Sequence, residues 1–318
     1  MAIESALVTG AAGFVGSHLV EALLAQGVRV TAVVRRTSRS QILNDQPNLS
    51  SAVDNPRLVV LPVDVAGPSA VDVLASVDSD VWLHLAADAF VPASIEQPAS
   101  VVLNNVTSTL NVLEAARRGP PQTIVVVSSS EVYGSHPQPI DEHCPLQPTT
   151  PYGASKAAID RLAWTYHETF GVPVTIVRPF NCYGPRHVYD AVPIFIARAV
   201  AGAPLEVNGD GRQTRDLTYV DDTVRALIAI AATPAIGRVY NIGTGGDVAI
   251  LDLARMIRQL AGSKSEIRLG PARRGEVRRL CADATRLREE LAWEPTVSLE
   301  EGLIQNIDWY RSIVGGSQ

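Results

Sequence analysis

Short apolar runs rich in β-branched residues alternate with longer amphipathic stretches through the first half of the chain. The runs are almost continuously apolar, a pattern typical of strands that are buried on both faces in a parallel sheet. Six such strands are predicted, at residues 6–9, 28–34, 58–62, 81–85, 124–128 and 174–178. The sequence therefore predicts an α/β fold, a doubly wound parallel sheet with helices on both sides.

The pattern becomes looser after about residue 180, where loops such as GPRHVYDAV and NGDGRQTRD separate the elements. Helices are predicted near residues 220–232 and 251–261. We predict two lobes: a sheet domain at 1–180 with a returning segment near 216–245, and a smaller C-terminal substrate-binding lobe at 181–215 and 246–318. A cleft between the lobes is the expected ligand site.

Charge and cysteine content exclude several classes of protein. The net charge of −6 is spread along the chain, so no broad basic surface is expected and nucleic acid is not a predicted partner. Cys144, Cys182 and Cys281 lack a CxxC spacing, so we predict no disulfide framework and no metal site. No apolar run approaches the roughly 20 residues that span a bilayer. We expect a soluble cytoplasmic protein with no membrane partner.

A glycine-rich loop follows the first strand and opens an amphipathic helix that runs to about residue 25. Gly10, Gly13 and Gly16 lie in TGAAGFVG. The missing side chains let the backbone approach a pyrophosphate, whose charge the free N–H groups and the helix dipole stabilise. This placement predicts a dinucleotide site on a Rossmann sheet, with Phe14 and Val15 also in contact with the cofactor.

The end of the second strand bears on which dinucleotide binds. A carboxylate that would bind the ribose hydroxyls of NAD is missing there, and Arg35, Arg36, Thr37 and Ser38 follow the strand instead. Two arginines suit the 2'-phosphate of NADP. They could equally lie along the adenine or in solvent while NAD binds, so the predicted cofactor is NAD(P), tightly held and recycled.

Tyr152 and Lys156 are candidate catalytic residues on an amphipathic helix that begins after Pro151. Their four-residue spacing puts both side chains on one helix face. An adjacent ammonium favours the phenolate over the phenol, whose ordinary pKa is near 10. We therefore predict Tyr152 as the proton acceptor, with Lys156 activating it and holding the nicotinamide ribose.

The spacing GxxGxxG, the segment SSSEVYG and the segment RPFNCYGPRH together resemble the extended short-chain dehydrogenases of the NAD-dependent epimerase/dehydratase family, over essentially the whole chain. VRRTS looks like the NADP-binding segment of GDP-mannose 4,6-dehydratases. The resemblance also implies Ser129 as the catalytic hydroxyl that steadies the reacting sugar oxygen. It implies further cofactor contacts at Asp64, Val65, Leu85, Ala86, Ala87, Asn105 and Phe180.

Glu131 bears on which reaction the family resemblance implies. Simple 4-epimerases of the family usually carry small residues there, whereas 4,6-dehydratases and glucuronate decarboxylases carry an acid. The paired Asp-Glu of dTDP-glucose dehydratases is here Ser130 and Glu131, and the helix of Tyr152 resembles that of an epimerase. Glu131 could move a C5 proton, or it could only cap or salt-bridge near the site, and Ser130 is expected to contact substrate.

The second lobe supplies expected contacts to a nucleotide sugar. Relatives hold the substrate diphosphate and ribose at the positions of Asn181, Arg215, Arg273 and Glu276. Arg186 could meet a C6 carboxylate if the sugar is a uronic acid, bind a neutral hexose through water, or serve only the fold.

The sequence thus favours a nucleotide-sugar 4-epimerase acting on a UDP-hexose or UDP-glucuronic acid through a 4-keto intermediate. The alternative is an NDP-sugar 4,6-dehydratase, of the GDP-mannose or dTDP-glucose type, that uses Glu131. A remote alternative is a non-catalytic NAD(P)-binding protein. A homodimer is expected from the resemblance.

Overall fold

All six predicted strands are present in a computed structural model, which describes residues 2–35, 47–233, 235–273 and 275–315. The strands are β1 Ser5–Thr9, β2 Arg29–Val34, β3 Leu58–Pro62, β4 Val81–His84, β5 Thr123–Val127, β6 Val174–Pro179, β7 Asn181–Tyr183, β8 Leu205–Asn208, β9 Thr214–Tyr219, β10 Val239–Ile242, β11 Asp247–Ala249, β12 Ile267–Gly270 and β13 Arg279–Leu280. Seven of them form a parallel sheet in the order β10-β6-β5-β4-β1-β2-β3. This confirms the predicted Rossmann fold class.

Helices cover both faces of this sheet. They are α1 Phe14–Ala25, α2 Ala70–Ala75, α3 Val91–Glu96, α4 Pro98–Arg118, α5 Pro151–Phe170, α6 Ala191–Val200, α7 Val220–Ala231, α8 Ile250–Leu260, α9 Thr285–Leu291 and α10 Leu299–Gly315. In β1, Ala6 and Val8 belong to the core beneath α1 and α7, whereas Leu7 belongs to the core beneath α4 and α5. The strand is therefore apolar at three successive positions, Ala6 to Val8, rather than at alternate ones. The helices predicted near 220–232 and 251–261 are confirmed as α7 and α8.

The two ends of the sheet depart from the sequence prediction. β3 is the last strand in the described sheet, and Val59 within it is 59% exposed, so the expectation of six fully buried strands is wrong for β3. β10 pairs with β6 at the other end and was not among the predicted strands. It has only four residues, which is too short for a clear pattern.

Two smaller sheets lie outside the main one. β9 pairs with β7, β11 and β13, while β8 pairs with β12. The exact division into two lobes stays a prediction, as does the homodimer. No helix in the described ranges is both long enough and apolar enough to cross a membrane.

Candidate active site

One large cavity, of about 1030 Å³, lies at the carboxyl ends of the central strands. The segments that follow β1, β4, β5 and β6 line it, together with segments around β7, β8 and β9, in agreement with the rule for ligand sites in open α/β sheets. Most predicted site residues share this lining: Gly10, Gly13, Phe14, Val15, Gly16, Arg35, Asp64, Val65, Leu85, Ala86, Ala87, Ser129, Ser130, Glu131, Tyr152, Lys156, Phe180, Asn181, Arg215, Arg273 and Glu276.

The glycine loop has the backbone geometry that its sequence suggested. Gly10 has a φ of 68°, and a Cβ there would lie 2.8 Å from the Ala86 backbone nitrogen. A Cβ on Gly16 would lie 2.1 Å from the Gly10 carbonyl oxygen. Gly13 is the N-cap of α1, with no side-chain hydrogen bond to cap the helix and no acidic residue in its first turn. The first turn of α1 is therefore suited to an anion.

The predicted adenine end of the cavity is only partly described. Arg35 lies 4.0 Å from Asp88 in an exposed ion pair, and Arg36 lies outside the described residues. Asp64 accepts a hydrogen bond from the Ala66 backbone nitrogen, at 3.2 Å. Val65 is buried beside it. Asp64 and Val65 thus share the cavity wall with the glycine loop.

Asn105 is not among the residues that line the cavity, contrary to its predicted place beside the nicotinamide. Its side chain is fully buried and holds the backbone of Asp88, accepting from the Asp88 nitrogen at 2.7 Å and donating to the Asp88 carbonyl at 3.2 Å. It also donates to Ser155 Oγ at 3.0 Å. Through these bonds the Asn105 amide fixes the loop after β4 against α5.

Ser129, Tyr152 and Lys156 meet at the end of β5. Thr150 caps α5, because its side chain accepts from the Gly153 nitrogen, and Pro151 starts the first turn. Lys156 Nζ donates to the Val127 carbonyl at 2.8 Å and lies 5.9 Å from the centre of the Tyr152 ring. The arrangement puts a phenol, a hydroxyl and an ammonium in one cavity wall, a set suited to moving a proton to or from a sugar hydroxyl.

The pKa of Tyr152 differs from the sequence expectation. Burial raises it, a hydrogen bond with Ser129 lowers it, and the nearby Tyr189, Glu131 and Asp190 raise it further. Burial also lowers the pKa of Lys156 to about 8. Burial is the largest influence on Tyr152, so its pKa is raised rather than lowered as the neighbouring ammonium led us to expect.

A buried ion pair fixes α5 to the sheet. Arg178 on β6 donates through Nε and Nη2 to Asp160, at 2.7 and 3.0 Å, and through Nη1 to the Tyr133 hydroxyl at 2.8 Å. Asp160 lies one turn beyond Lys156 on the same helix, and both members of the pair are almost fully buried. The pair therefore holds the orientation of α5 relative to β5 and β6.

We expect Arg178→Met to destabilise the protein by about 3 to 5 kcal/mol, because it leaves the Asp160 carboxylate buried without its main partner. Arg161→Met is the matched control: Arg161 contacts the same carboxylate, but its side chain is 52% exposed, so its loss should cost less than about 1 kcal/mol. Urea unfolding of both variants measures the difference. Equal losses would contradict the importance of the buried pair.

Glu131 projects a buried carboxyl into the cavity wall. Its Oε2 atom has no hydrogen-bond partner among the described residues. Burial raises its pKa, Arg215 opposes the rise, and Asp190 and Glu276 add to it. A buried polar atom without a partner is rare in folded proteins and is often found where a ligand binds. Glu131 is therefore a candidate acid–base group.

The predicted diphosphate residues lie at the other side of the cavity. Arg215 on β9 donates to the backbone carbonyls of Thr214 and Val277, both at 2.8 Å, and no carboxylate of the described chain lies within ion-pair distance of it. Arg273 is close enough to repel its charge. Glu276 accepts from Gln213 Nε2 at 3.2 Å. Two guanidinium groups in one cavity lining suit an anion. The buried Oδ1 of Asn181, which has no hydrogen-bond partner among the described residues, belongs to the same cavity.

Arg186 is not among the residues that line the cavity. Its Nη2 donates to both carboxylate oxygens of Glu21, at 2.8 and 2.9 Å, and its Nη1 donates to Ser17 Oγ at 3.2 Å. The guanidinium therefore binds α1, and this arrangement favours the fold-serving alternative over a contact with a sugar carboxylate.

The cavity lining also contains residues that had no predicted role, among them His187, Tyr189 and Asp190. They lie in GPRHVYDAV, which the sequence shows only as a loop. No periodic pattern marks a loop side chain, and the positive φ of Asp190, 76°, has no sequence signal in a residue other than glycine. The only available signal was the density of aromatic and charged residues in a short loop.

Comparison with known proteins identifies the family. A model of the family described as GDP-mannose 4,6 dehydratase matches residues 7–306. A dTDP-glucose 4,6-dehydratase of Xanthomonas campestris pv. campestris is 35% identical, over 96% of this chain and 92% of that protein. A UDP-glucose 4-epimerase of Mycolicibacterium smegmatis is 34% identical, over 96% and 98%. DesIV, a dTDP-glucose 4,6-dehydratase from Streptomyces venezuelae solved with NAD and TYD bound, is 32% identical, with a TM-score of 0.90 over 98% of each chain.

The fold and cavity define a dinucleotide-binding α/β enzyme of the extended short-chain dehydrogenase type. The chain belongs to the NAD-dependent epimerase/dehydratase family, whose members matched here include enzymes of nucleotide sugars. The resemblance seen in the sequence is confirmed.

Proposed function

We propose that this protein is an NDP-hexose 4,6-dehydratase. The observation that carries the proposal is the buried carboxyl of Glu131, which lines the cavity of Tyr152 and has no partner for Oε2 among the described residues. An epimerase needs no second acid–base group near the sugar, whereas a dehydratase must take the C5 proton. The sequence alone favoured the 4-epimerase, and with this observation we place the 4,6-dehydratase first.

The cofactor we propose is NAD. No side chain caps the N-terminus of α1, and the glycines bring its backbone close to the cavity. Both features suit a pyrophosphate. At the end of β2, Arg35 faces Asp88, which offsets the positive charge that a 2'-phosphate would need. DesIV, solved with NAD, supports the same choice. When bound, NAD accepts the C4 hydride of the sugar and returns it to C6.

In the first step of the proposed reaction, oxidation at C4 prepares the sugar for the elimination of water. Tyr152 takes the proton of the C4 hydroxyl as the hydride leaves C4, and Ser129 donates a hydrogen bond to the same oxygen. Lys156, held by the Val127 carbonyl, lies 5.9 Å from the centre of the Tyr152 ring, and its ammonium would stabilise the phenolate that transfers the proton. The resulting 4-keto group acidifies the C5 proton.

Glu131 takes that C5 proton in the second step. Its raised pKa makes it a better acceptor than an ordinary carboxylate near neutral pH, because a base works best when its pKa is close to the working pH. The C5–H electron pair forms the C5–C6 double bond. The C6 oxygen keeps the electron pair of its bond to carbon, takes a proton from solvent and leaves as water. C6 then receives the hydride and C5 a proton, which yields a 4-keto-6-deoxy sugar. The substrate must therefore carry a hydroxyl at C6, not a carboxylate.

A 4-epimerase is the second candidate. Ser130 stands immediately before Glu131, where the dehydratases that the sequence resembles carry a second acid. Ser129, Tyr152 and Lys156 suffice for an epimerase, since hydride returns to the opposite face of C4 and no C5 proton moves. The similarity to a UDP-glucose 4-epimerase supports this alternative.

Product analysis separates the candidates. The protein is incubated with NAD and with UDP-glucose, dTDP-glucose or GDP-mannose in D₂O, and the products are read by mass and NMR. We expect a product lighter by one water, with deuterium at C5. A product of the same mass as the substrate, without deuterium at C5, would contradict the dehydratase and support the epimerase. Conversion of none of the three would contradict both proposals.

A further inference from the structure

His84 is a buried titratable residue that has no part in the reaction steps described above. It ends β4, is 2% exposed and lies outside the lining of the cavity. Its ring lies between two fully buried threonines. Nδ1 is 2.7 Å from Thr9 Oγ1, at the end of β1, and Nε2 is 2.9 Å from Thr109 Oγ1, on α4. The imidazole therefore joins two strands of the main sheet to a helix that covers them.

Counting donors places the protons of this cluster. Each threonine hydroxyl has one proton to donate. Thr9 Oγ1 accepts a hydrogen bond from the Ala86 backbone nitrogen at 3.2 Å, and Thr109 Oγ1 donates to the Asn105 carbonyl at 3.0 Å. Thr109 therefore accepts from His84 Nε2, and Thr9 donates its own proton to Nδ1. A neutral ring with its proton on Nε2 satisfies every one of these groups.

Burial keeps the His84 ring in that neutral form. Together with a smaller contribution from the charge of Lys156, it lowers the pKa of His84 to about 3. A protonated ring would lose the bond that Nδ1 accepts, because both nitrogens would then be donors. The direction of both hydrogen bonds is therefore the same at neutral and at mildly acidic pH.

Asn105 continues the network to the helix of the proposed proton acceptor. It lies one turn before Thr109 on α4, and its side chain donates to Ser155 Oγ at 3.0 Å. Ser155 in turn donates to the Tyr152 carbonyl at 2.7 Å. A continuous series of hydrogen bonds, which passes through Asn105 itself, thus runs from the Ala86 backbone to the first turn of α5.

Both ends of this network line the cavity. Ala86 packs against the glycine loop, since a Cβ on Gly10 would lie 2.8 Å from its nitrogen, and this side suits the dinucleotide. Tyr152 stands at the other end. The two belong to segments far apart in sequence, so their separation depends on bonds between those segments. A displacement of about 1 Å between reacting groups costs about 100-fold in rate.

We propose that His84 is a positioning residue, whose ring fixes the glycine-loop side of the cavity relative to Tyr152 and thereby sets the geometry of hydride transfer from C4. The inference rests on the proposed function only through oxidation at C4, the step that the dehydratase and the 4-epimerase share. A side chain of similar size without nitrogen would fill the space. It would leave Thr9 without an acceptor and Thr109 without a donor, so the two sides of the cavity would shift.

Two substitutions at His84 test this role. His84→Phe keeps a ring and removes both hydrogen bonds, whereas His84→Gln offers one acceptor and one donor. Both are assayed with NAD and the nucleotide hexose that the wild type converts, and the hexose deuterated at C4 reports how far hydride transfer limits the rate. For His84→Phe we expect kcat to fall by roughly 100-fold, the isotope effect on kcat to rise and KM to stay unchanged. His84→Gln should recover most of the lost rate.

Cofactor binding and stability are measured on the same variants. The rate at which bound NAD exchanges with labelled NAD should stay close to that of the wild type, because the glycine loop keeps its sequence. Thr175→Val is the matched control: Thr175 is fully buried at the start of β6, away from the cavity, and its hydroxyl donates to the Ala235 carbonyl at 2.8 Å. It should lose stability in urea unfolding but keep the wild-type kcat.

Thr109→Val removes one bond of the network and leaves the His84 ring in place. We expect it to lower kcat less than His84→Phe does, again with a larger isotope effect. This variant tests the inference even if His84→Phe does not fold.

Three results would overturn the inference while the proposed function stands. The first is a wild-type kcat in His84→Phe or in Thr109→Val. The second is an equal fall of kcat in Thr175→Val, which would attribute the loss to lower stability alone. The third is faster exchange of NAD with an unchanged kcat, which would make His84 a support for binding only. A wild type that converts no nucleotide hexose would contradict the proposed function itself.

Discussion

Tyr152→Phe is expected to abolish turnover while leaving the fold and cofactor binding nearly intact. The substitution removes only the hydroxyl that receives the C4 proton, and the remaining ring keeps its buried place on α5. Loss of a positioned base typically costs 10²- to 10⁴-fold in rate, so we expect at least about a 100-fold fall. Steady-state turnover of a nucleotide hexose measures the effect. The amount of NAD that the purified variant frees on heat denaturation shows whether it still retains the cofactor.

Tyr166→Phe is the control for that experiment. Tyr166 lies on the same helix, and its hydroxyl donates to Glu114 away from the cavity. It should turn over substrate at the wild-type rate. If Tyr152→Phe also kept more than a few per cent of the activity, another residue would have to be the proton acceptor.

Glu131→Gln has the second largest expected effect. Glutamine keeps the shape and removes the base, so the C4 oxidation should proceed while the C5 proton stays in place. We expect product formation to fall by roughly 10²- to 10⁴-fold. Deuterium should no longer enter C5 in D₂O, and the absorbance of reduced cofactor should accumulate after substrate is added.

Exchange at C5 in the wild type gives this result its meaning, because only the dehydratase moves the C5 proton. A modest fall in rate for Glu131→Gln, with no C5 deuterium in the wild type, would contradict the dehydratase and favour the epimerase.

Local patterns made most of the fold predictable. β1 and β5 each contain an unbroken apolar run, Ala6 to Val8 and Ile124 to Val127, because helices cover both of their faces, and this leaves a continuous signal in the sequence. β3 has the same apolar pattern in sequence although Val59 is exposed. In the described sheet β3 pairs only with β2 and lies at the edge, and its local sequence does not indicate that position. β10 has too few residues to be predicted from its own sequence pattern, without knowing that it pairs with β6.

The positions of site residues were predictable where they depend on nearby sequence. The glycine loop and the Tyr152–Lys156 pair have spacings that fix their geometry within one turn. Asn105 and Arg186 were expected at the cofactor and the sugar, but they bind Asp88 and Glu21, which are distant in sequence. Side-chain direction at such positions depends on a partner that the sequence alone does not identify.

The uncapped start of α1 makes the dinucleotide part of the stability of the native state. An anion that satisfies the free N–H groups stabilises the folded chain in proportion to its binding, by about 2.7 kcal/mol when its free concentration is 100 times its Kd. The loss of stability from substitutions that weaken the core would then be masked wherever the dinucleotide is abundant, and it would become apparent where the dinucleotide is scarce. Cofactor supply would set how much sequence change this chain tolerates.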